Sequence, residues 1–517
     1  ASARADDRTW TGGGVNDLWT TADNWLSGEA PVAGDALSFG GTTRLAPSND
    51  IAADTSFAGI TFNSGAVAFV LSGNRITLGG NVTNNAASPQ TVQLDMILDS
   101  TRTVAGSDSI TLAGVLSGDG GLTKSGSGEL LLSGSSPNTY NGVTTVSGGT
   151  LRLGKTAGVI AVPGDLVISG GGVTFSASNQ IADGAAVTMS GSTSVLNGTA
   201  FNADFYAVNE TIGSLVVTGG SFNSGTNGTG WTVTGAASFT GGAGNTKFLG
   251  HSSSTSRFGS LNLTNMTATA GGTANTANSF TLYGNNSGKQ SSIFVGSGGL
   301  TLDNSVINLR RGSVTNARGS RLILDGNMTT TGTSPSAISE DTAGGTIGAI
   351  AVELSSTTGD VIREFNIGGG GANLTIGIPV TNGASTSAGI TKIGAGMLTL
   401  SGANTFSGDT KVSAGTLRLG DSLALQNSTF DTQTGSVGTL SFGALANATF
   451  GGLQGSNGLA LVNEASGAVA LTVGGNKAST TFSGSLSGTG SSLTKTGTGT
   501  LTLSGATANT YTGLTTV

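Results

Sequence analysis

Short apolar runs alternate with polar positions along most of the chain. Residues 60–62, 76–78, 261–263 and 300–302 each place an apolar residue at every second position. Because successive side chains of a strand point to opposite faces, this spacing predicts short, half-buried β-strands. Gly, Ser and Asn separate the runs and predict turns. Frequent glycine also argues against long helices, since each costs about 1 kcal/mol inside one.

Three stretches, 121–154, 389–420 and 492–517, share one longer pattern. The first is GLTKSGSGELLLSGSSPNTYNGVTTVSGGTLRLG. The other two repeat its start as Ile-Thr-Lys or Leu-Thr-Lys and its centre as Asn-Thr-Phe or Asn-Thr-Tyr. Alternation predicts that the apolar residues of the first two copies face the interior: Leu122, Leu130, Leu132, Val146, Leu151 and Leu153, with Ile390, Leu398, Leu400, Val412, Leu417 and Leu419. The repeated lysine, Lys124, Lys392 or Lys495, is predicted to prevent edge-to-edge strand pairing.

A repeat of this kind cannot bury its apolar face alone, so it must stack on neighbouring coils. A sandwich would need modules joined by linkers, and the chain has only 7 Pro and no charged linker. A propeller would need a regular period, but the copies start irregularly. The pattern therefore predicts an all-β fold, a right-handed parallel β-helix (β-solenoid) that is continuous over 51–517.

Residues 1–50 differ from the rest and contain Trp10, Trp19 and Trp25. Large aromatic residues at one end of a stacked array predict an N-terminal cap over an otherwise exposed apolar cross-section. The alternative is a carbohydrate platform, in which exposed Trp rings stack on sugars.

Composition excludes several classes of function. The 517 residues include 89 Gly, no Cys and 9% charged residues, with a net charge of −7. A hydrophobic content of 36% argues against disorder. Since no basic stripe is present, nucleic-acid binding is not expected, and no apolar run approaches the roughly 20 residues of a membrane span. The absence of Cys excludes disulfides and fits bacterial export.

Few residues are candidates for catalysis. His251 is the single histidine, which argues against a catalytic triad or a histidine metal site, and it is predicted to lie in a surface loop. Glycoside hydrolysis needs two acids, and the candidates are Asp95 with Asp99, Glu340 with Asp341, and Glu353 and Asp360 with Glu364. These acids show no repeated spacing and are predicted to be solvated. No catalytic, cofactor-binding or metal-binding residue is predicted.

The three copies resemble the autotransporter-associated β-strand repeat, also called the passenger-associated transport repeat. The Trp-Thr-Gly-Gly-Gly segment at Trp10 is similar to the start of large secreted proteins built from such repeats. The resemblance implies a parallel β-helix that is exported to the bacterial cell surface and that is adhesive or structural. The third copy stops at Val517, the equivalent of Val146, so we expect either a longer native polypeptide or end-to-end stacking on residues 1–8 of another copy.

The sequence thus predicts an extracellular, non-enzymatic surface protein. Its expected partners are cell-surface polysaccharide and, through end-to-end contact, further copies of itself. Two alternatives remain open at this point. One is a fibre subunit, and the other is a polysaccharide lyase or glycoside hydrolase built on a β-helix.

Overall fold

A computed structural model describes residues 6–200, 208–224, 230–250, 255–267, 278–282, 291–312, 319–342, 346–433 and 436–517, with only the backbone of 198–200. The chain forms two compact units. The first contains residues 1–234 with 243–246, and the second contains 235–242 with 247–517. His251 lies outside the described residues, as do residues 1–5 of the segment predicted to stack on another copy.

The first unit consists of short strands: Asp7–Trp10, Ala36–Phe39, Ser48–Asn49, Thr55–Phe57, Gly59–Phe62, Val70–Gly73, Ile76–Leu78, Val82–Asn84, Gln90–Val92, Met96–Leu98, Arg102–Gly106, Ile110–Leu112, Leu116–Ser117, Leu122–Ser125, Glu129–Gly134, Thr144–Val146, Thr150–Lys155, Leu166–Ile168, Gly172–Phe175, Ala186–Met189, Val195–Ala200, Asn209–Ile212, Ser214–Val217 and Ser221–Asn223. Strand Gly230–Thr240 begins in the first unit and ends in the second.

The second unit has the same character, with strands Lys247–Gly250, Thr255–Thr264, Ser279–Leu282, Ser292–Val295, Leu300–Asp303, Val306–Arg310, Arg321–Leu324, Met328–Thr331, Ser336–Asp341, Ala351–Glu353, Asp360–Ile367, Leu374–Ile376, Val380–Thr381, Ser387–Ile393, Met397–Leu400, Thr410–Val412, Thr416–Leu419, Leu425–Thr432, Thr439–Ser441, Asn447–Gly455, Leu459–Ala460, Ala470–Val473, Thr480–Phe482, Leu486–Ser487, Ser492–Lys495, Leu501–Leu503 and Thr515–Thr516. The one helix among the described residues is the 3₁₀ turn Ala22–Asn24. None of these residues forms a helix with the length and apolarity to cross a membrane.

Within each unit the strand ladders among the described residues are parallel and join one coil to the next. In the first unit, Lys124 is in register with Val104 on one side and Val146 on the other. In the second, Lys392 lies between Phe365 and Val412. Because the register is kept from coil to coil, like positions stack on like positions and form columns. The predicted parallel β-solenoid is confirmed.

The interior columns contain the apolar residues that alternation selected. All twelve predicted interior positions of the first two copies are buried, with at most 4% of any residue exposed. Leu131, between Leu130 and Leu132, lies on the outer face and is half-buried. The predicted inside and outside assignment is therefore confirmed.

The three N-terminal tryptophans form one buried cluster. Trp10 and Trp25 are 5.2 Å apart between ring centroids in an edge-to-face arrangement, and Trp19 packs on Phe39 and Phe57. Trp25 Nε1 donates to the Trp19 carbonyl at 2.8 Å. Since all three rings are buried, the carbohydrate platform is wrong. The cap is consistent with this cluster, and its first strand, Asp7–Trp10, joins the solenoid sheet beside Ala36–Phe39.

Replacement of Leu132 by Asp tests the interior assignment. The buried carboxylate would have no partner, so we expect the free energy of unfolding to fall by at least ~3 kcal/mol. Leu131→Asp in the same strand is the matched control, and it should cost less than ~1 kcal/mol because its side chain faces outwards. Chemical denaturation followed by circular dichroism measures both. Equal losses in the two variants would contradict the assignment.

Candidate functional site in the repeat unit

Most of the acids considered for catalysis form an ion pair or a hydrogen bond with a nearby residue. Asp99 pairs with Arg102 and Asp341 with Arg310. Glu340 pairs with Arg311, and Glu353 with Arg321. In most of these pairs the two partners come from strands of adjacent coils. Opposite charges on neighbouring strands stabilise the sheet. Asp341 was predicted to be solvated, and this is wrong, because its side chain is buried beside Arg310.

The remaining candidate acids differ among themselves. Glu364 accepts from Asn327 Nδ2 at 3.3 Å, and Asp95 accepts from the Val115 amide at 2.7 Å. The Asp360 side chain is exposed and makes no hydrogen bond or ion pair with a described residue. Among the described residues, no group of three or more His, Cys, Asp and Glu is placed to hold a metal ion.

In the first two copies of the repeat, the repeated lysine lies inside the coil. Lys124 Nζ donates to three carbonyls: Ser125 at 2.6 Å, Gly126 at 2.9 Å and Gly148 at 3.1 Å. The first two belong to its own turn, and Gly148 belongs to the next coil. An ammonium group has three donors, so all of them are used.

The second copy repeats this arrangement with different residues around the lysine. Lys392 Nζ donates to Ile393 and Gly394, each at 2.8 Å, and to Ala414 of the next coil at 3.0 Å. In the third copy, Lys495 keeps the two local acceptors, Thr496 and Gly497. The prediction that the lysine prevents edge pairing is wrong for Lys124 and Lys392, because both side chains are buried and link two turns.

The glycines around the lysine make this arrangement possible. Gly126 has φ +72° and Gly394 has φ +75°, a left-handed conformation that favours glycine. A Cβ atom at Gly149 would lie 2.7 Å from Lys124 Nζ and 2.4 Å from the Gly126 carbonyl oxygen. The Lys-x-Gly-x-Gly segment and the later Gly-Thr-Leu segment of the repeat therefore build one carbonyl-lined cradle.

Burial changes the acid–base behaviour of the two lysines. Loss of water lowers the pKa of Lys124 and of Lys392 to about 8. The three carbonyl oxygens replace part of that water, so the amine remains mostly protonated at neutral pH.

The asparagine of the Asn-Thr-Tyr segment is a second link between coils. Asn138 accepts from the Leu116 amide of the preceding coil at 3.0 Å and donates to the Ala161 carbonyl of the next at 2.8 Å. Asn404 accepts from Val380 at 2.8 Å and donates to Ala424 at 2.9 Å. Because both side chains are buried, these bonds satisfy backbone groups that would otherwise be unpaired.

The aromatic position after this asparagine varies, and the hydrogen bond varies with it. Tyr140 and Thr144 share a hydroxyl–hydroxyl bond of 2.5 Å, and Tyr511 and Thr515 share one of 2.6 Å. Phe406 has no hydroxyl, and Thr410 instead bonds to Ser428 of the next coil at 2.7 Å. The threonine hydroxyl is thus satisfied in each copy.

Asn138→Ala tests the second link. The change leaves the Leu116 amide and the Ala161 carbonyl buried without their partner, and we expect a loss of about 2 to 4 kcal/mol in the free energy of unfolding. Asn141→Ala is the control, since Asn141 is exposed and bonds only to Asp119 through its side chain. A loss in Asn138→Ala no larger than that in the control would contradict the role of the asparagine.

The lowered lysine pKa predicts a dependence of stability on pH. Between pH 8 and about 10.5 the unfolded lysine retains a proton that the folded one has lost, so the free energy of unfolding should rise with pH in this window. Lys124→Met should weaken this rise, whereas Lys477→Met at an exposed position should leave it unchanged. Chemical denaturation at several pH values measures the slopes. Equal slopes in the wild type and Lys124→Met would show that the buried amine does not titrate in this way.

Comparison with known proteins identifies a family that these repeats resemble. The passenger-associated-transport-repeat family matches at residues 122–153, 390–419 and 493–517, which are the three copies described above. A relative is the adhesin BmaC autotransporter of Brucella suis biovar 1 (strain 1330), which is 29% identical over 187 residues. The match covers 33% of this chain and 5% of the relative, so this chain spans only a small part of that protein's length. No solved structure matches the chain. The three stretches thus match the passenger-associated transport repeat, and the two units that contain them are parallel β-solenoids.

Proposed function

We propose that this chain is a surface-exposed or secreted bacterial adhesive scaffold without enzymatic activity. The observation that carries the proposal is the repeat itself. Three passenger-associated transport repeats are built into parallel coils, and in the first two copies buried lysine and asparagine side chains link neighbouring coils. Such coils give a rigid, extended sheet face. The relative with partial similarity is named an adhesin and an autotransporter, which supports the same role and location.

The chemistry of the outer face also supports contact rather than catalysis. Only 9% of the residues are charged, and several charged residues pair with a neighbour on the next coil, as Arg311 does with Glu340. Uncharged polar residues also form columns on this face, as Thr103, Thr123 and Thr145 do in register, and such hydroxyl groups suit hydrogen bonding to polysaccharide. We propose cell-surface polysaccharide as the main partner and self-association as a second contact.

Adhesion of coated beads tests the role. Beads carrying the folded chain should be retained on bacterial cells or on immobilised cell-surface polysaccharide at least tenfold more than beads carrying heat-unfolded chain, because only ordered coils present the sheet face. Retention that does not depend on folding would contradict the proposal.

The absence of catalysis is tested separately. Asp95→Ala, Glu353→Ala and Glu364→Ala should leave bead adhesion unchanged, and the wild type should release no reducing ends from a polysaccharide panel. Hydrolase or lyase activity that disappears in one of these variants would favour the enzyme alternative.

A further inference from the structure

The outer face of the second unit has a depression of about 380 Å³ beside the second repeat copy. Its walls include Asp360, Ile362, Asp409, Thr429 and Asn476, which come from several successive coils. This volume lies within the range of about 300 to 1,000 Å³ that is typical of small-molecule sites. The function described above assigns no role to the depression.

Two glycines form its floor. Gly389 is in register with Ile362, and the Ile390 amide donates to the Asp409 carbonyl of the next coil at 2.9 Å. A Cβ atom added at Gly389 would lie 2.5 Å from the backbone carbonyl oxygen of Asp409. A Cβ atom added at Gly408 would lie 2.5 Å from the carbonyl carbon of Ala388. The floor is therefore backbone, and the side chains before and after it in the column stand as walls.

The second copy differs from the other two at Asp409. Asp409 aligns with Val143 of the first copy and Leu514 of the third, which are 43% and 80% exposed. The exposed aliphatic residue of the other copies is thus replaced by a carboxylate. This exchange is local to one repeat and does not follow from the repeat pattern.

Asp409 lies in a polar network that leaves its charge without an ion pair. Gln454 Nε2 donates to Asp409 at 3.2 Å and to Asp431 at 3.3 Å. Lys411 Nζ forms its ion pair with Asp431, at 3.4 Å. Burial and the nearby Asp431 charge raise the pKa of Asp409. A cation bound at this carboxylate would remove an unfavourable interaction.

The other walls supply complementary groups. Asp360 is an exposed carboxylate with no hydrogen bond or ion pair to a described residue, and Ile362 is 57% exposed. Asn476 Nδ2 donates to the Thr429 hydroxyl at 2.8 Å, which leaves the Thr429 proton free to be donated. Ser407 accepts from Asn382 at 2.9 Å in the same way.

We propose that this depression binds an amine-bearing sugar unit of a polysaccharide. Asp360 and Asp409 would receive the ammonium group, Ile362 would contact the apolar face of the ring, and the Thr429 and Ser407 hydroxyls would bond to sugar hydroxyls. A lysine side chain of a partner protein fits less well, because it has no hydroxyl groups that could bond to Thr429 and Ser407. The inference rests on the proposed function and names the sugar class that one site would recognise.

Calorimetric titration with glucosamine oligomers tests the site. We expect binding to the full chain, with at least tenfold weaker binding of the fully N-acetylated oligomer and of a cello-oligosaccharide of equal length, because neither has a cationic amine. Binding should weaken at low pH, where Asp409 is protonated, and at high pH, where the amine is neutral. Equal binding of the three oligomers, or binding of a lysine-rich peptide alone, would overturn the proposal.

Variants separate the site from the rest of the surface. Asp360→Asn and Asp409→Asn should each weaken glucosamine-oligomer binding at least tenfold, and Asp409→Val, which restores the residue of the first copy, should do the same. Asp119→Asn, at an exposed acid of the first unit, should have no effect. Circular dichroism establishes that each variant is folded. Unchanged binding in the folded Asp409 variants would overturn the proposal.

The bead assay distinguishes this inference from the proposed function. Beads that fail to adhere while glucosamine-oligomer binding persists would contradict the adhesive role and support the site. Beads that adhere equally with wild-type chain and Asp409→Asn, when oligomer binding is lost only in the variant, would support the site as a sugar-binding site and contradict its use in adhesion. Adhesion without any oligomer binding would overturn the site alone.

Discussion

Stacked coils have to satisfy the backbone groups at their turns, and the rest of this structure depends on that constraint. Within a strand, each N–H and C=O bonds to the neighbouring coil through the parallel ladder. At a turn the ladder is interrupted, and a buried amide or carbonyl without a partner costs about 1 to 3 kcal/mol. Asn138 and Lys124 supply those partners from their side chains. They also fix the register, because each joins atoms of different coils.

Coils outside the repeat copies meet the same constraint with other residues. Lys155 Nζ donates to the Ser133 carbonyl at 2.9 Å, and Gln180 accepts from the Lys155 amide at 2.9 Å. Glu210 accepts from the amides of Gln180 and Ile181, and burial raises the pKa of Glu210 to about 7. The turns between coils therefore require a polar side chain that reaches the backbone, but the residue type can differ from coil to coil. This explains how the sequence diverges between the repeat copies while the coil is kept.

A regular interior leaves the outer face free to vary. The interior columns accept only residues that fit between the coils above and below, whereas an outward residue affects mainly its neighbours in the column. Arg311 with Glu340 is one such outward pair. The exchange of an aliphatic residue for Asp409 has little effect on the interior. For this reason, a binding surface can be placed on one coil without a change in the fold.

Sequence alone determined the strands and the residues that face the interior. Alternation with a period of two assigns Leu130 and Leu132 to one face and Leu131 to the other, and no tertiary contact is needed for that. Alternation also places Lys124 on the same face as Leu122, although the sequence predicted a role for this lysine at the strand edge. The carbonyl of Gly148 completes the cradle only when the next coil is stacked.

The tertiary structure alone decided which distant residues meet. Asp360, Asp409 and Asn476 line one depression although they are far apart in the chain, because parallel stacking brings positions of successive coils together. Loop lengths differ between coils, and so no fixed spacing in the sequence marks such a column. The ion pair between Glu353 and Arg321 could not be predicted from the sequence for the same reason. Local alternation fixes the face on which a residue lies, and the register between coils fixes its neighbours.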